Sequence, residues 1–201
     1  MKIRIVIFDG VDELDFIGPY EVLRRAAKLG KDADVALVTL APQPEITTAY
    51  GLKVRSEGTL DDADVLVVPG GGWAARAAIG VRAEVERGEL PRRIAQLYER
   101  GAVIAGVCTG AMAIAAAGLL RERPAITHHH AIEDLRTASA DIRSARVVDA
   151  GDIVTSGGVT ASIDLALWLV EKFWGKDAAD QIAADLEYAR SSDVYVANGQ
   201  R

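Results

Sequence analysis

The chain has 201 residues, of which 50% are hydrophobic and 26% charged, and its formal net charge is −6. This length and composition fit one globular domain with a full core, while the acidic balance and the lack of a basic stripe argue against a nucleic-acid partner. A single cysteine excludes an internal disulfide and favours a reducing, cytoplasmic setting. No apolar stretch approaches the roughly 20 residues of a membrane span.

Apolar runs alternate with helical patterns along the chain. Strands are predicted at 2–8, 33–41, 63–68, 103–107, 145–149 and 152–155, with hairpin-like segments in 46–60 and a short strand at 125–127. Helices are predicted at 16–29, 73–79, 89–100, 109–118, 131–137, 159–173 and 176–189. Asp15 or a neighbour is the expected N-cap of the first helix, with Pro19 in its first turn. The alternation predicts a mostly parallel sheet with helices on both faces, as one domain over 1–190 followed by a loose polar tail over 191–201.

The only cysteine stands where the predicted strand 103–107 ends and an Ala- and Met-rich helical segment begins. Such a junction lies at the carboxyl end of the sheet, where open α/β folds bind their ligands. The first-turn amides of the helix would favour a Cys108 thiolate and could hold an anion beside it. This placement predicts a nucleophile elbow, although a free cysteine is also commonly a small buried hydrophobic residue.

Two other loops at the carboxyl ends of predicted strands carry residues suited to catalysis. Residues 69–73 contain three consecutive glycines, and an amide of Gly71 or Gly72 could join the Thr109 amide in an oxyanion hole. The loop after the first strand is rich in carboxylates, and Asp15 could serve a cysteine nucleophile as general acid or base. Alternatively, the glycines only form a tight turn and Asp15 only caps its helix.

Residues 128–130 are three consecutive histidines. Consecutive side chains point in different directions, and no cysteine or carboxylate stands at ligand spacing, so the sequence predicts no metal site. His128 could instead be the base of a Cys–His pair with Cys108. The helix and loop between these two residues leave their separation undetermined.

Several motifs together resemble the ThiJ/PfpI superfamily, and within it the isocyanide hydratases. They are residues 14–21, 68–72, 107–110, 117–120, 126–128 and 156–164, in the order in which the family carries them. Two positions make the resemblance specific to the isocyanide hydratases within the superfamily. Asp15 stands where family members acting as peptidases, deglycases or glyoxalases typically carry Glu, and Thr109 stands where many of them carry His.

The resemblance implies a flavodoxin-like three-layer α/β sandwich that uses no cofactor. It also implies that Cys108 is the nucleophile, that Asp15 is the acid/base beside it, and that Thr109 is a hydrogen-bonding neighbour. The amides of Gly71 and Thr109 would stabilise an anion. The activity implied is hydration of an isocyanide to an N-substituted formamide through a thioimidate on Cys108.

Rival functions remain open, and two positions of this sequence differ from the isocyanide hydratases. Aldehyde chemistry of the glyoxalase or deglycase type at Cys108, or a cysteine-based sensor, are the rival functions. His129 stands where the hydratases carry an aromatic residue, and Trp73 where smaller residues are usual, so the pocket is expected to differ. Relatives are usually homodimers, and the helix face with Ile163, Leu167 and Trp168 could be an interface or part of the core.

Overall fold

Eight strands form the central sheet of the computed structural model, which describes residues 1–197. Across the sheet they run in the order β12 (Val194–Val196), β10 (Val147–Asp149), β11 (Ile153–Ser156), β7 (Val103–Val107), β6 (Val65–Val68), β1 (Lys2–Val6), β2 (Asp34–Thr39) and β5 (Gly58–Thr59). Neighbouring strands pair in parallel except β10 with β11. The predicted mostly parallel sheet is confirmed, and its central order β2-β1-β6-β7-β11 is that of flavodoxin-like folds.

Helices cover both faces of this sheet. They are α1 (Glu13–Lys28), α2 (Val81–Arg87), α3 (Glu89–Glu99), α4 (Gly110–Ala116), α5 (Ile132–Thr137), α6 (Ala161–Trp174) and α7 (Lys176–Asp185). Helices α1, α6 and α7 pack together, as do α2, α3 and α4, so the molecule has three layers. Outside the main sheet, β3 (Glu45–Thr47) pairs with β4 (Lys53–Arg55), and β8 (Pro124–Ala125) pairs with β9 (Asp141–Ile142).

Helix α1 begins earlier than the sequence predicts. Asp12 is its N-cap, because its side chain accepts a hydrogen bond from the Leu14 amide at 3.2 Å. Asp15 therefore lies in the first turn and is not the cap, and Pro19 lies in the helix interior. This shift turns the Asp15 side chain towards the interior of the protein, where it is fully buried.

Two other predictions are wrong. No helix forms over 73–79, because this Ala-rich segment is short and stands between glycines with positive φ at Gly72 and Gly80. Residues 191–197, expected in a loose tail, include β12, whose pairing with β10 adds a strand at the edge of the sheet. Residues 198–201 of the predicted tail lie outside the described residues.

The strand order reverses between β1 and β6, and this reversal creates the crevice where flavodoxin-like folds place their ligands. Backbone hydrogen bonds join the loops around it. The Asp12 amide donates to the Gly70 carbonyl at 3.1 Å, and the Gly80 amide donates to the Asp9 carbonyl at 2.8 Å. The loops that follow β1 and β6 are therefore held rigidly against each other.

The α6 face considered as an interface packs largely within the molecule itself. Leu167 is buried in the core, and Trp168 Nε1 donates to Asp149 at 2.8 Å. Ile163 packs against α1 at Gly18, where an added Cβ would lie 3.2 Å from its side chain. Among the helices of residues 1–197, none is both long enough and apolar enough to cross a bilayer.

Candidate active site

Cys108 occupies a sharp turn between β7 and α4, with a φ of 54°. A non-glycine residue in this left-handed region is strained by about 1–2 kcal/mol, and such strain persists where surrounding contacts enforce it. Here the Cys108 amide donates to the carbonyls of Ser156 and Gly157 at 3.2 and 3.3 Å, and Thr127 Oγ1 donates to the Cys108 carbonyl at 2.8 Å. The predicted elbow is confirmed, with the thiol held at the carboxyl end of the sheet.

Asp15 enters this site from the first turn of α1 and has no solvent-exposed surface. Its Oδ2 accepts a hydrogen bond from the Gly70 amide at 2.9 Å, whereas its Oδ1 has no hydrogen-bond partner within the part of the chain that the structure describes. Burial, and then the nearby charge of Asp12, raise the pKa of Asp15 to about 8. The carboxyl group therefore keeps its proton at neutral pH.

The Cys108 thiol also keeps its proton. Burial raises its pKa, the charge that Asp15 carries once ionised would raise it further, and the Thr109 amide directed at the sulfur opposes both effects without overcoming them. The expectation that the start of α4 would favour a resting thiolate is therefore wrong, because burial and the adjacent carboxyl outweigh the helix amides. The site combines two neutral acids side by side.

Thr109 links the elbow to the glycine loop. Its Oγ1 accepts a hydrogen bond from the Gly71 amide at 3.1 Å. A Cβ on Gly70 would lie 2.4 Å from Thr109 Oγ1 and 3.0 Å from Asp15 Oδ2, so only glycine lets these groups approach. The Gly71 amide, predicted as an anion donor, is thus occupied by Thr109. The Gly72 amide donates no hydrogen bond to any residue in the range 1–197.

His128 does reach Cys108 across the Gly157-Gly158 loop. An added Cβ on Gly158 would lie 2.2 Å from His128 Cδ2 and 3.0 Å from Cys108 Sγ, so both side chains border the same point. No hydrogen bond joins His128 to Cys108 in the described chain, and burial together with the other two histidines lowers the pKa of His128. The imidazole therefore forms a neutral wall of the site, and the alternative Cys–His pair is absent from the resting geometry.

The three histidines lie closer together than the sequence suggested. His128 caps a turn of 3₁₀ helix over His129–Ala131, with its Nδ1 accepting from the His130 amide at 3.3 Å. His128 precedes the turn with an extended backbone (φ −57°, ψ 141°), so its ring folds back over the turn, and a nitrogen of each of the three rings lies within 4.8 Å of the others. The sequence-based argument against a metal site, that three consecutive histidine side chains point in different directions, is therefore wrong.

The thiol opens into a pocket of about 270 Å³. Its walls are Asp12, Tyr50, Gly71, Gly72, Trp73, Ala74, Ala75, Cys108, Thr109, His128, His130 and Val159. A neighbouring open cleft of about 480 Å³ shares Asp12, Tyr50 and Val159 with it. Sequence reasoning gave neither Tyr50 nor Val159 a place in the site: no motif marks the hairpin that carries Tyr50, and Val159 belongs to the motif over 156–164 without any role predicted for its side chain.

Trp73 is a fixed part of the pocket wall. Its Nε1 donates to Asp134 Oδ2 at 2.6 Å, and the Arg82 guanidinium lies 4.1 Å from the centre of its ring. The side chain is 8% exposed, so its bulk belongs to the pocket rather than to the outer surface. His129, the other residue expected to alter the pocket, is exposed beside the pocket opening.

The fold and the elbow define a flavodoxin-like α/β protein with a buried cysteine at a strand-to-helix turn. The chain belongs to the DJ-1/PfpI family, whose model matches residues 1–172. It is 35% identical over 192 residues to the isonitrile hydratase of Pseudomonas putida, an alignment that covers 94% of this chain and 79% of that protein.

Solved structures agree with the fold. A THiJ/PfpI family protein from Pseudomonas syringae is 26% identical, with a TM-score of 0.83 over 94% of this chain and 76% of that one. Oxidized DJ-1 from Toxoplasma gondii is 23% identical, with a TM-score of 0.80 over 94% of this chain and 98% of that one. This second likeness supports the fold alone.

Proposed function

We propose that the protein hydrates isocyanides to N-substituted formamides, with Cys108 as nucleophile and Asp15 as acid and base. The observation that carries the proposal is the buried Asp15 carboxyl beside the Cys108 thiol, with a pKa of about 8. The terminal carbon of an isocyanide must gain a proton as well as a nucleophile, and this pair provides both. The 35% identity to an isonitrile hydratase supports the same chemistry.

The first half of the reaction is addition of the thiol across one carbon. Asp15 gives its proton to the terminal carbon of R–N≡C, which makes that carbon electrophilic, and the Cys108 sulfur bonds to it. The thiol proton passes to Asp15, which ends the step protonated again. The product is the thioimidate R–N=CH–S–Cys108, and no proton has left the site.

The second half consumes water. Asp15 takes a proton from the water while giving its own to the imine nitrogen, and the water oxygen bonds to the carbon, giving R–NH–CH(OH)–S–Cys108. The C–S bond then breaks as the hydroxyl proton passes to sulfur through Asp15. The formamide R–NH–CHO leaves, and Cys108 and Asp15 return to their starting states.

Other groups in the pocket have supporting roles in this scheme. The Gly72 amide is the available donor for negative charge developing on the oxygen of the tetrahedral adduct. Thr109 positions the glycine loop by accepting from the Gly71 amide. The side chains of Trp73, Tyr50 and Val159 supply largely apolar surface for the R group.

The direct test is turnover of cyclohexyl isocyanide and an aryl isocyanide, with the formamide product measured by chromatography. We expect turnover by the wild type and none by Cys108→Ala, with circular dichroism of the variant confirming its fold. Turnover that survives in Cys108→Ala would refute the mechanism. Consumption of methylglyoxal faster than of either isocyanide would instead favour aldehyde chemistry at the same cysteine.

The rival sensor function is less well supported. Oxidation of a cysteine to sulfenic acid proceeds through an exposed, low-pKa thiolate, whereas Cys108 is 6% exposed and its pKa is raised. Ready formation of Cys–SO₂H without turnover of any substrate would favour the sensor.

A cytoplasmic location, which keeps the thiol reduced, and a homodimer are parts of our proposal. Sedimentation of the purified protein tests the homodimer.

A further inference from the structure

The cluster formed by His128, His129 and His130 has no role in the proposed reaction. These are all the histidines in the chain. Their ring centres lie 4.1 Å apart for His128 and His129, 3.9 Å apart for His129 and His130, and 4.9 Å apart for His128 and His130. Three imidazoles packed this closely present several ring nitrogens to one small volume.

We propose that His128, His129 and His130 bind a divalent transition metal ion of the zinc, nickel and copper class at the mouth of the Cys108 pocket. Neutral imidazole nitrogens are preferred ligands of these ions. One nitrogen from each ring already lies within 4.8 Å of the other two. In a tetrahedral zinc site with Zn–N bonds of about 2.0–2.1 Å, ligand atoms lie about 3.3 Å apart, so modest side-chain rotation closes the site.

The surroundings permit that rotation. His129 and His130 are exposed, so their rings can turn without disturbing the core. Within residues 1–197, the ring nitrogens of this cluster make only the 3.3 Å contact from the His130 amide to His128 Nδ1, and none forms an ion pair with a carboxylate. Every ring nitrogen except His128 Nδ1 is therefore available to an ion, and the fourth coordination position remains open to water.

The position of the histidine cluster means that a bound ion affects access to Cys108. His128 and His130 line the same pocket as Cys108, and His128 and the Cys108 sulfur border the same point at Gly158. An ion held by these rings stands in the path between solvent and the thiol. Metal binding therefore shields Cys108 from reagents, whichever substrate the pocket serves.

The first experiment measures zinc binding to the untagged, chelator-treated full chain by titration calorimetry. We expect one ion per chain, an affinity reduced at least about tenfold in His129→Gln/His130→Gln, and unchanged affinity in Cys108→Ser. Both substituted histidines are exposed, so the fold is retained. No binding at millimolar zinc, wild-type affinity in the double variant, or lost binding in Cys108→Ser would each overturn the proposal.

The second experiment tests the location of the ion without any enzymatic assay. Cys108 is the only thiol, so the rate of its alkylation by N-ethylmaleimide can be followed by mass spectrometry. We expect zinc to slow alkylation of the wild type and to leave His129→Gln/His130→Gln unaffected. Equal rates with and without zinc in the wild type would show that the ion does not stand at the pocket mouth. Neither experiment depends on isocyanide turnover.

Discussion

The side chains of Asp15 and Cys108 are two protonated acids that lie side by side in a buried crevice. Burial raises the pKa of both groups, and the charge that Asp15 would carry raises the pKa of the thiol further. This arrangement differs from a thiolate–imidazolium pair, in which the nucleophile is ionised before substrate arrives. A site of this kind suits a substrate that must be protonated at the atom the nucleophile attacks, and an isocyanide carbon meets that requirement.

The proposed mechanism predicts that the rate of isocyanide hydration falls at alkaline pH. The pKa of Asp15 is raised to about 8, so its proton is present below that pH and is lost as the pH rises through it. We expect kcat/KM to be level from about pH 6 to 7.5 and to drop about tenfold per unit well above pH 8. Initial rates of formamide production across this range, with enzyme-free blanks, measure the profile. A rate that increases through pH 8 would instead indicate that an ionised site is the active form.

Asp15→Asn should abolish turnover and stabilise the fold. Between the unfolded pKa near 4 and the folded value of about 8, the unfolded chain ionises Asp15 while the folded chain keeps the proton, so the wild type loses stability as pH rises. Each pKa unit corresponds to about 1.4 kcal/mol. Because Asn still leaves one polar atom without a partner, we expect only part of this gain, on the order of 2 kcal/mol at pH 7.

Urea unfolding of both proteins at pH 5 and pH 7 checks this prediction. The stability difference between Asp15→Asn and the wild type should be larger at pH 7 than at pH 5, since more of the penalty has accumulated by then. A difference that is equal at the two values would mean that Asp15 does not hold its proton in the folded state. Asn can still accept from the Gly70 amide, so the loop geometry is retained.

The sheet and the elbow could be predicted from the sequence because buried parallel strands are short apolar runs, and because Cys108 follows one of them directly. The grouping of Asp15 with Cys108 was predictable from the family resemblance, and a carboxyl beside a thiolate is expected to have a raised pKa, but the protonated state of the thiol was not predictable. Burial of Asp15 depends on a helix that starts at Glu13 and packs on the crevice, and the raised pKa of both groups follows from it. The amides at the start of α4, considered alone, therefore predicted a thiolate at Cys108, which is the wrong ionisation state.

Proximity of His128 to Cys108 also lay beyond sequence reasoning. The two residues approach across Gly158, which belongs to a third segment, and only the packing of the loop after β11 brings them together. The helix predicted over the Ala-rich residues 73–79 fails to form for a different reason. Its local helix propensity is good, but the flanking glycines and the hydrogen bonds of Gly80 and Val81 to the crevice loops fix an irregular path.

Gly158→Ala should impair the site, whereas Gly157→Ala should not. An added methyl group at Gly158 would lie 2.2 Å from His128 Cδ2 and 3.0 Å from Cys108 Sγ, so the imidazole must move and the thiol is crowded. The same change at Gly157 meets nothing within 4 Å. We expect kcat/KM to fall at least about tenfold in the first variant, equivalent to about 1.4 kcal/mol of lost transition-state stabilisation. Equal activities in the two variants would contradict the crowding around Cys108.

Thr109→Val should weaken both the fold and the proposed reaction, and Thr109→Ser should restore much of each. Valine matches the shape of threonine but cannot accept the 3.1 Å hydrogen bond from the Gly71 amide, which is then left without a partner at the floor of the pocket. The Gly71 amide is only partly buried and borders the pocket, so we expect a loss near the lower end of the about 1–3 kcal/mol that a fully buried unsatisfied donor costs, which urea unfolding resolves.

The kinetic effect of the same change separates two roles for Thr109. If the hydroxyl positions the glycine loop, the freed Gly71 amide shifts the Gly72 donor away from the developing oxyanion, so kcat falls while KM changes little. Serine keeps the oxygen and therefore keeps the loop in place, so its kcat should stay within a few-fold of the wild type. A valine variant with normal kcat but reduced stability would mean that Thr109 supports only the fold, and that the anion is stabilised without a fixed glycine loop.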